Sequence, residues 1–228
     1  MFLDIIALFV SFLCLIIIVM TIGSYRFQKE INIPFVIIIL FVGIQRFQSS
    51  LTNLNLVELK SPFEEFPLFA LIFIPLFLIF FKTSTEEKNI SRKDLAHFIL
   101  PIILISFKKL GLLSDLMSRV IFFMFCFSYW ILILFIIIDY YKKTISKYSF
   151  NRINLRWLIL MFSNVTLIMF FLNYKVLYWD LNQSDYSLTN FYRGSSILWV
   201  VALTYLILNP VIIFGKDYLL NQLTLKSK

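Results

Sequence analysis

The chain consists largely of apolar blocks of about 20 residues, separated by shorter polar segments. A helix needs about 20 consecutive apolar residues to cross the hydrocarbon of a bilayer, which is about 30 Å thick. Hydrophobic residues make up 60% of the 228 residues and charged residues 15%, whereas a soluble domain has about 45–50% and about 25%. The sequence also lacks the short alternating segments of a transmembrane β-barrel. It therefore predicts an all-α membrane protein.

Seven blocks are candidates for membrane-spanning helices, and we expect one bundle within residues 1–215, followed by a short tail, 216–228. The fourth block is the shortest, because its apolar core of 13 residues, 95–107, is about 20 Å long as a helix. It crosses only if Lys108 and Lys109 extend their ammonium groups outward. The predicted spans are 2–23, 31–51, 66–81, 95–113, 120–138, 155–172 and 195–214.

The distribution of Lys and Arg predicts the orientation of these spans. With seven spans and an outer N-terminus, 14 of the 21 basic residues lie in inner segments, six lie in outer segments and Arg46 lies within a span. If the fourth block does not cross, the best division is 11 to 9. Because basic residues are retained on the cytoplasmic side, we expect seven spans in the inner (plasma) membrane, with the C-terminus in the cytoplasm.

The sequence gives little support to catalysis, metal binding or cofactor binding. His97 is the only histidine, and both cysteines, Cys14 and Cys126, lie in apolar runs, where they are expected to be buried small hydrophobes. Neither HExxH nor GxSxG occurs. The net charge of +8 is spread over many loops, so we expect the basic residues to set topology and not to bind nucleic acid directly.

An ionisable residue inside a span is a functional candidate, because its burial in lipid is unfavourable. Arg46 lies in the outer third of the second span, beside Gln45. One interpretation is that Arg46 extends to the outer headgroups and pairs with Glu64 or Glu65. The other is an outward-opening polar pocket near Gln45, Glu64, Glu65 and the long outer loop, in which Arg46 contacts an anionic or polar ligand, with Asp4 as a second partner.

Three further features are candidates for a functional role. Asn164 lies midway along the sixth span, where it is expected to hydrogen-bond to a neighbouring helix or to backbone, or alternatively to contact a ligand. In the seventh span Pro210 removes a backbone donor, so Asn209 and Pro210 predict a kink or a hinge. The stretch 173–192 is predicted to be the longest outer loop, rich in Tyr, Asn, Ser and Asp.

Three stretches resemble the N-terminal membrane region of membrane-anchored AraC-type transcription regulators: Pro75 to Lys82 (PLFLIFFK), Ser91 to Pro101 (SRKDLAHFILP) and Asn209 to Leu220 (NPVIIFGKDYLL). The resemblance implies several spans that precede a cytoplasmic helix-turn-helix domain. No segment within residues 1–228 is predicted to form that domain. We therefore expect either a truncated or split regulator, or a chain that works through a separate cytoplasmic output protein.

These observations lead to one main hypothesis and two alternatives. The main hypothesis is a non-catalytic membrane sensor or regulatory module that binds an unknown ligand on the outer side of the lipid bilayer and signals through its last span. A small seven-span transporter is the first alternative, although the internal repeat that is usual in transporters is not evident. An inert remnant of a regulator is the second.

Overall fold

The computed structural model describes residues 2–24, 32–54, 56, 66–86, 90–144, 149–178 and 185–214, and these residues form helices and turns with no strand. Six long helices account for most of them. Between α3 and α6 lies a continuous segment made of α4 (Arg92–Leu95), a 3₁₀ turn (Ala96–Phe98) and α5 (Ile99–Lys109). The long helices are α1 (Phe2–Gly23), α2 (Ile33–Asn53), α3 (Phe66–Glu86), α6 (Asp115–Thr144), α7 (Ser149–Tyr178) and α8 (Asp185–Leu208).

The six long helices contact one another in a closed order. α1 packs against α2 and α8, α3 packs against α2 and α6, and α7 packs against α6 and α8, with a further contact to α3. The core includes four fully buried side chains, each 0% exposed: Ile39, Ile133, Leu158 and Leu203. The bundle therefore closes on itself by joining its first helix to its last.

Four helical segments have the length and composition of membrane spans, namely Phe2–Gly23, Ile33–Thr52, Leu116–Thr144 and Arg152–Phe171. The described parts of α3 and α8 contribute the shorter apolar segments Leu71–Thr85 and Gly194–Leu208. Large apolar side chains on the outside of α1, such as Phe12 and Leu15, are more than half exposed to the surroundings of the chain. A face of this kind fits lipid and not water. The prediction of an all-helical chain with several candidate membrane spans is confirmed for the described residues, and the number of seven spans stays a prediction.

The helices are longer than the apolar blocks that predicted them. The sixth span, predicted as 155–172, is the middle of a 30-residue helix, α7, that runs from Ser149 to Tyr178. The predicted outer loop 173–192 is wrong as a loop, because α7 continues to Tyr178 and α8 begins at Asp185. Polar residues extend a helix that is already nucleated, since each added residue gains a backbone hydrogen bond.

The segment between α3 and α6 ends in a well-defined turn. The N–H of Gly111 donates to the carbonyl of Lys108 at 3.1 Å, and that of Leu112 donates to Phe107 at 3.0 Å. This is a Schellman motif, which needs a left-handed residue after the helix. Gly111 supplies it with φ 69°, so the chain turns sharply from α5 into α6.

Candidate functional site

Arg46 lies inside the bundle in the second half of α2, distant from the end of the bundle at which α2 begins. The side chain extends from α2 to α8, where Nη2 donates a hydrogen bond to Ser195 Oγ at 2.6 Å. Arg46 is 2% exposed and Ser195 is 9% exposed. Ser50, one turn further along α2, donates its hydroxyl to the carbonyl of Arg46 at 2.7 Å. The guanidinium is therefore directed into the protein, and the structure gives no support to its extension toward the outer headgroups.

Helices α1 and α2 approach each other closely beside Arg46. A Cβ added to Gly43 would lie 3.0 Å from Cys14 Cβ, so the two backbones are nearer here than larger residues allow. Cys14 is buried and free, as predicted for a small hydrophobe. Arg46 lies about one turn after Gly43 on α2. The buried charge thus lies where α1, α2 and α8 converge.

The other predicted ligand-binding residues are only partly brought together. Asp4 is 2% exposed in the first turn of α1, and α1 packs against both α2 and α8. Gln45 is half-buried on α2. Glu64 and Glu65 lie outside the described residues.

Asn164 is buried in α7, at 2% exposure. Its Nδ2 donates to the carbonyl of Leu160, one turn earlier in the same helix, at 3.0 Å. The prediction of a bond to backbone is confirmed. Asn164 Oδ1 is also buried and has no hydrogen-bond partner in the described chain.

The predicted break at Asn209 and Pro210 is confirmed, and its hydrogen bonds explain it. α8 ends at Leu208, and Asn209 Nδ2 donates to the carbonyl of Tyr205 at 2.8 Å. A new helical turn follows, in which Ile213 and Phe214 donate to the carbonyl of Pro210. Asparagine before a turn and proline at its first position are both favourable choices. Whether the break acts as a hinge stays a prediction.

A second set of polar residues was missed by sequence reasoning. Asn32 caps α2, and its Nδ2 donates hydrogen bonds to Thr83 Oγ1 at 3.3 Å and to Ser84 Oγ at 3.2 Å. Asn154 of α7 donates to the carbonyl of Ser84 at 3.2 Å and to the hydroxyl of Tyr140 at 3.1 Å. These five residues, which we term the polar end cluster, join the start of α2, the end of α3, the end of α6 and the start of α7.

An ion pair joins the start of α4 to the same end of α3. Lys82 Nζ lies 2.6 Å from Asp94 Oδ1, and Asp94 Oδ2 accepts hydrogen bonds from the backbone N–H and the hydroxyl of Ser91, both at 2.7 Å. Burial raises the pKa of Asp94, but the bonds from Lys82 and Ser91 outweigh it and lower the pKa to about 2. Asp94 three residues after Ser91 is a capping-box spacing, so the sequence did carry a signal for half of this arrangement.

Among the described residues, no group of three or more His, Cys, Asp or Glu side chains is placed to hold a metal ion. Comparison with protein-family models, with curated proteins and with solved structures gave no match.

Proposed function

We propose that this chain is a non-catalytic seven-span sensor or regulatory module of the inner (plasma) membrane. It senses a ligand near Arg46 on the outer side and transmits the signal through α8 to the cytoplasmic end. The observation that carries the proposal is the buried hydrogen bond between Arg46 Nη2 and Ser195 Oγ, 2.6 Å long and joining residues 149 positions apart. Burial of a charged side chain in a membrane bundle is unfavourable. Ionisable residues that nevertheless occur within spans commonly mark ligand or ion sites.

The position of Ser195 on α8 supports coupling to the opposite end. Asn209 follows Ser195 by 14 residues, which corresponds to about 21 Å of helix. α8 therefore links the buried charge to the break at Asn209 and Pro210 as one rigid rod. A ligand that binds one position of α8 more tightly than another shifts the population between them, and the break allows the following turn to respond.

The orientation of the segment 92–109 supports seven spans. Lys82 and the polar end cluster bring the start of this segment, the end of α3 and the end of α6 to one end of the bundle. α6 begins at Asp115, five residues after Leu110 in the turn that ends α5. Since α6 starts at the other end, the segment must run the length of the bundle to reach it. Its 18 residues from Arg92 to Lys109 span about 28 Å with one 3₁₀ turn, close to the thickness of the hydrocarbon.

The contact between His97 and α6 agrees with this path. His97 Nδ1 lies 3.0 Å from the hydroxyl of Tyr129. Tyr129 precedes Tyr140 by 11 residues, so it is about 16 Å from the polar end cluster along α6. At His97, five residues after Arg92, the segment therefore already lies some distance along the bundle from its polar end. This supports a crossing helix and disfavours one that lies flat at the interface.

The resemblance to the membrane region of AraC-type regulators supports the output side of the proposal. In that family the last span leads into a cytoplasmic regulatory domain. We propose that the segment after Phe214 acts on such an output, encoded separately or in a longer product. Basic residues flank the polar end cluster, and the positive-inside rule favours a cytoplasmic location for this end.

Distance measurements between two spin labels test the coupling without knowledge of the ligand. Labels at Lys142, exposed in the last turn of α6, and at Lys216 would report the position of the tail relative to the bundle. We expect Arg46→Gln to shift the distance distribution in lipid nanodiscs, and Pro210→Ala to reduce that shift. Lys143→Gln, which removes an exposed surface pair with Asp139, is the matched control.

If Arg46→Gln and the parent give the same distribution while both insert normally, Arg46 has no role in transmission and the proposal fails. Substrate flux through the purified protein in liposomes, abolished by Arg46→Gln, would instead favour the transporter. A reporter fused after Lys228 and found outside the cytoplasm would overturn the proposed topology.

A further inference from the structure

The exposed side chains that the structure describes on α7 lie along one stripe. They follow one another by three, four or seven positions, which is the spacing of a single helix face. We term this face the α7 stripe, and its members are Arg152, Arg156, Ile159, Ser163, Phe170 and Tyr174. Within the described chain the hydroxyl of Ser163 bonds only to its own helix, at the carbonyl of Ile159. The stripe therefore faces the surroundings of the bundle, with two cations at one end and an apolar surface beyond them.

The two arginines of the α7 stripe are not neutralised by the protein. Neither Arg152 nor Arg156 makes a hydrogen bond or an ion pair with another residue that the structure describes. The sequence of α7 contains no acidic residue. By contrast, Lys82 at the same end of the bundle is held by Asp94 at 2.6 Å. The guanidinium groups of Arg152 and Arg156 are therefore available to an anion from outside the chain.

The stability of α7 does not account for the place of these arginines. α7 begins at Ser149, so Arg152 lies in its first turn, where the helix dipole disfavours a cation. The positive-inside rule accounts for basic residues at this end of the bundle but not for their place on the lipid-facing side of the helix. An anion bound here would interact favourably with both guanidinium groups and with the helix N-terminus.

The direction of the side chains brings both charges to the membrane surface. Helical side chains lean toward the N-terminus of their helix, and the N-terminus of α7 lies at the polar end cluster. Arg156 precedes Ile159 by three positions, about 4.5 Å, so its guanidinium extends from the edge of the apolar surface toward the headgroups. The Cβ atoms of Arg152 and Arg156 are about 5–6 Å apart at this spacing. Both side chains can therefore bind the same phosphate-bearing headgroup.

We propose that the α7 stripe binds an anionic phospholipid, whose phosphate is held by Arg152 and Arg156 and whose acyl chain lies along Ile159 and Phe170. A guanidinium donates two parallel hydrogen bonds to a phosphate, whereas the ammonium of a zwitterionic lipid is repelled by it. Inorganic phosphate matches only the cationic end of the stripe. The inference goes beyond sensing at Arg46 and does not depend on it, because it requires only that this end of the bundle lies at a membrane surface.

Fluorescence quenching by labelled lipids tests the site. Bimane attached at Ile159→Cys reports the lipids that lie against the stripe, while Cys14 and Cys126 are buried and stay unlabelled. The protein is reconstituted in phosphatidylcholine nanodiscs with a small fraction of nitroxide-labelled phosphatidylglycerol or phosphatidylcholine. Since one basic residue near an anionic lipid contributes about fivefold in affinity, we expect phosphatidylglycerol to quench several times more strongly at the same mole fraction.

Two charge-matched double variants distinguish a lipid site from general surface charge. Arg152→Gln with Arg156→Gln should make the two lipids quench equally. Arg92→Gln with Lys93→Gln removes two exposed charges from α4 at the same end of the bundle and should keep the preference of the parent. The proposal is overturned if the parent shows no preference, or if both double variants lose it to the same extent.

Native mass spectrometry in detergent gives a second measurement that does not require reconstitution. Phosphatidylglycerol is added to the purified protein, and the lipids that remain bound are counted. We expect the parent and the variant Arg92→Gln with Lys93→Gln to retain at least one lipid more than Arg152→Gln with Arg156→Gln. Equal retention by all three proteins would overturn the proposal.

Discussion

In the polar end cluster, Asn154 of α7 donates both to the backbone of α3 and to the hydroxyl of Tyr140 on α6. Asn32 caps α2 and also contacts α3. In the opposite half, a buried arginine reaches α8 through one serine, and Ser196, Trp199 and Asn164 carry buried atoms without partners in the described chain. Satisfied networks fix a single structure, whereas incompletely satisfied ones occur at functional sites. The hydrogen bonds of the polar end cluster hold the ends of four helices together, and the comparison supports our proposal that the Arg46 half is where the molecule responds.

The largest effect on stability is expected from Ser195→Ala. The substitution removes the hydroxyl that accepts from Arg46 Nη2 at 2.6 Å, and it should lower the free energy of unfolding by about 1–2 kcal/mol, because hydrogen bonds to charged groups are the stronger ones and those in membranes seldom exceed this range. Unfolding in mixed micelles measures it. A loss no greater than that of Ser163→Ala would mean that the contact contributes nothing.

Asn154→Ala should have a smaller effect, about 1 kcal/mol, at the other end of the bundle. It removes two bonds between neutral partners, which are individually weak. Unlike Arg46→Gln, it should leave the mean distance between labels at Lys142 and Lys216 unchanged. If Asn154→Ala shifts that distance as much as Arg46→Gln does, the division of the molecule into a fixed half and a responsive half is wrong.

Asp94→Asn should destabilise the protein in a pH-dependent way. The folded-state pKa of Asp94 is lowered from 3.8 to about 2, so its carboxylate stabilises the fold above about pH 4, and the contribution is lost as the pH falls toward 2. The gap in Tm between the parent and Asp94→Asn should therefore narrow between pH 5 and pH 3. A gap that is constant over this range would show that the ion pair with Lys82 adds no stability.

The smallest effects are expected from two glycines, and they should differ in size or sign. A Cβ on Gly194 of α8 meets nothing within 4 Å, so Gly194→Ala should stabilise the helix by about 0.5–1 kcal/mol. In Gly43→Ala the new Cβ would lie 3.0 Å from Cys14 Cβ, and the gain should be cancelled or reversed. Equal gains at both positions would show that α1 and α2 can separate near Arg46 without loss.

Sequence reasoning located the helices and the buried arginine because both depend on local composition. The apolar blocks, the capping spacing of Ser91 and Asp94, and the break at Asn209 and Pro210 are each properties of neighbouring residues. It failed where distant parts meet. Nothing in the local sequence distinguishes Ser195 from the other serines, because its contact with Arg46 exists only once α8 has packed into the bundle. The residues 173–192 are polar enough to predict a loop, although most of them extend α7 and α8.

The pairing of the first helix with the last has a consequence for biogenesis. Ser195 is synthesised 149 residues after Arg46, which at about 5–20 residues per second is a delay of roughly 7–30 s. During that interval the hairpin of α1 and α2 carries a guanidinium that its eventual partner helix cannot yet cover. The contact between α2 and α8 therefore forms only after α8 has been inserted, and any slowing of translation lengthens the interval before it forms.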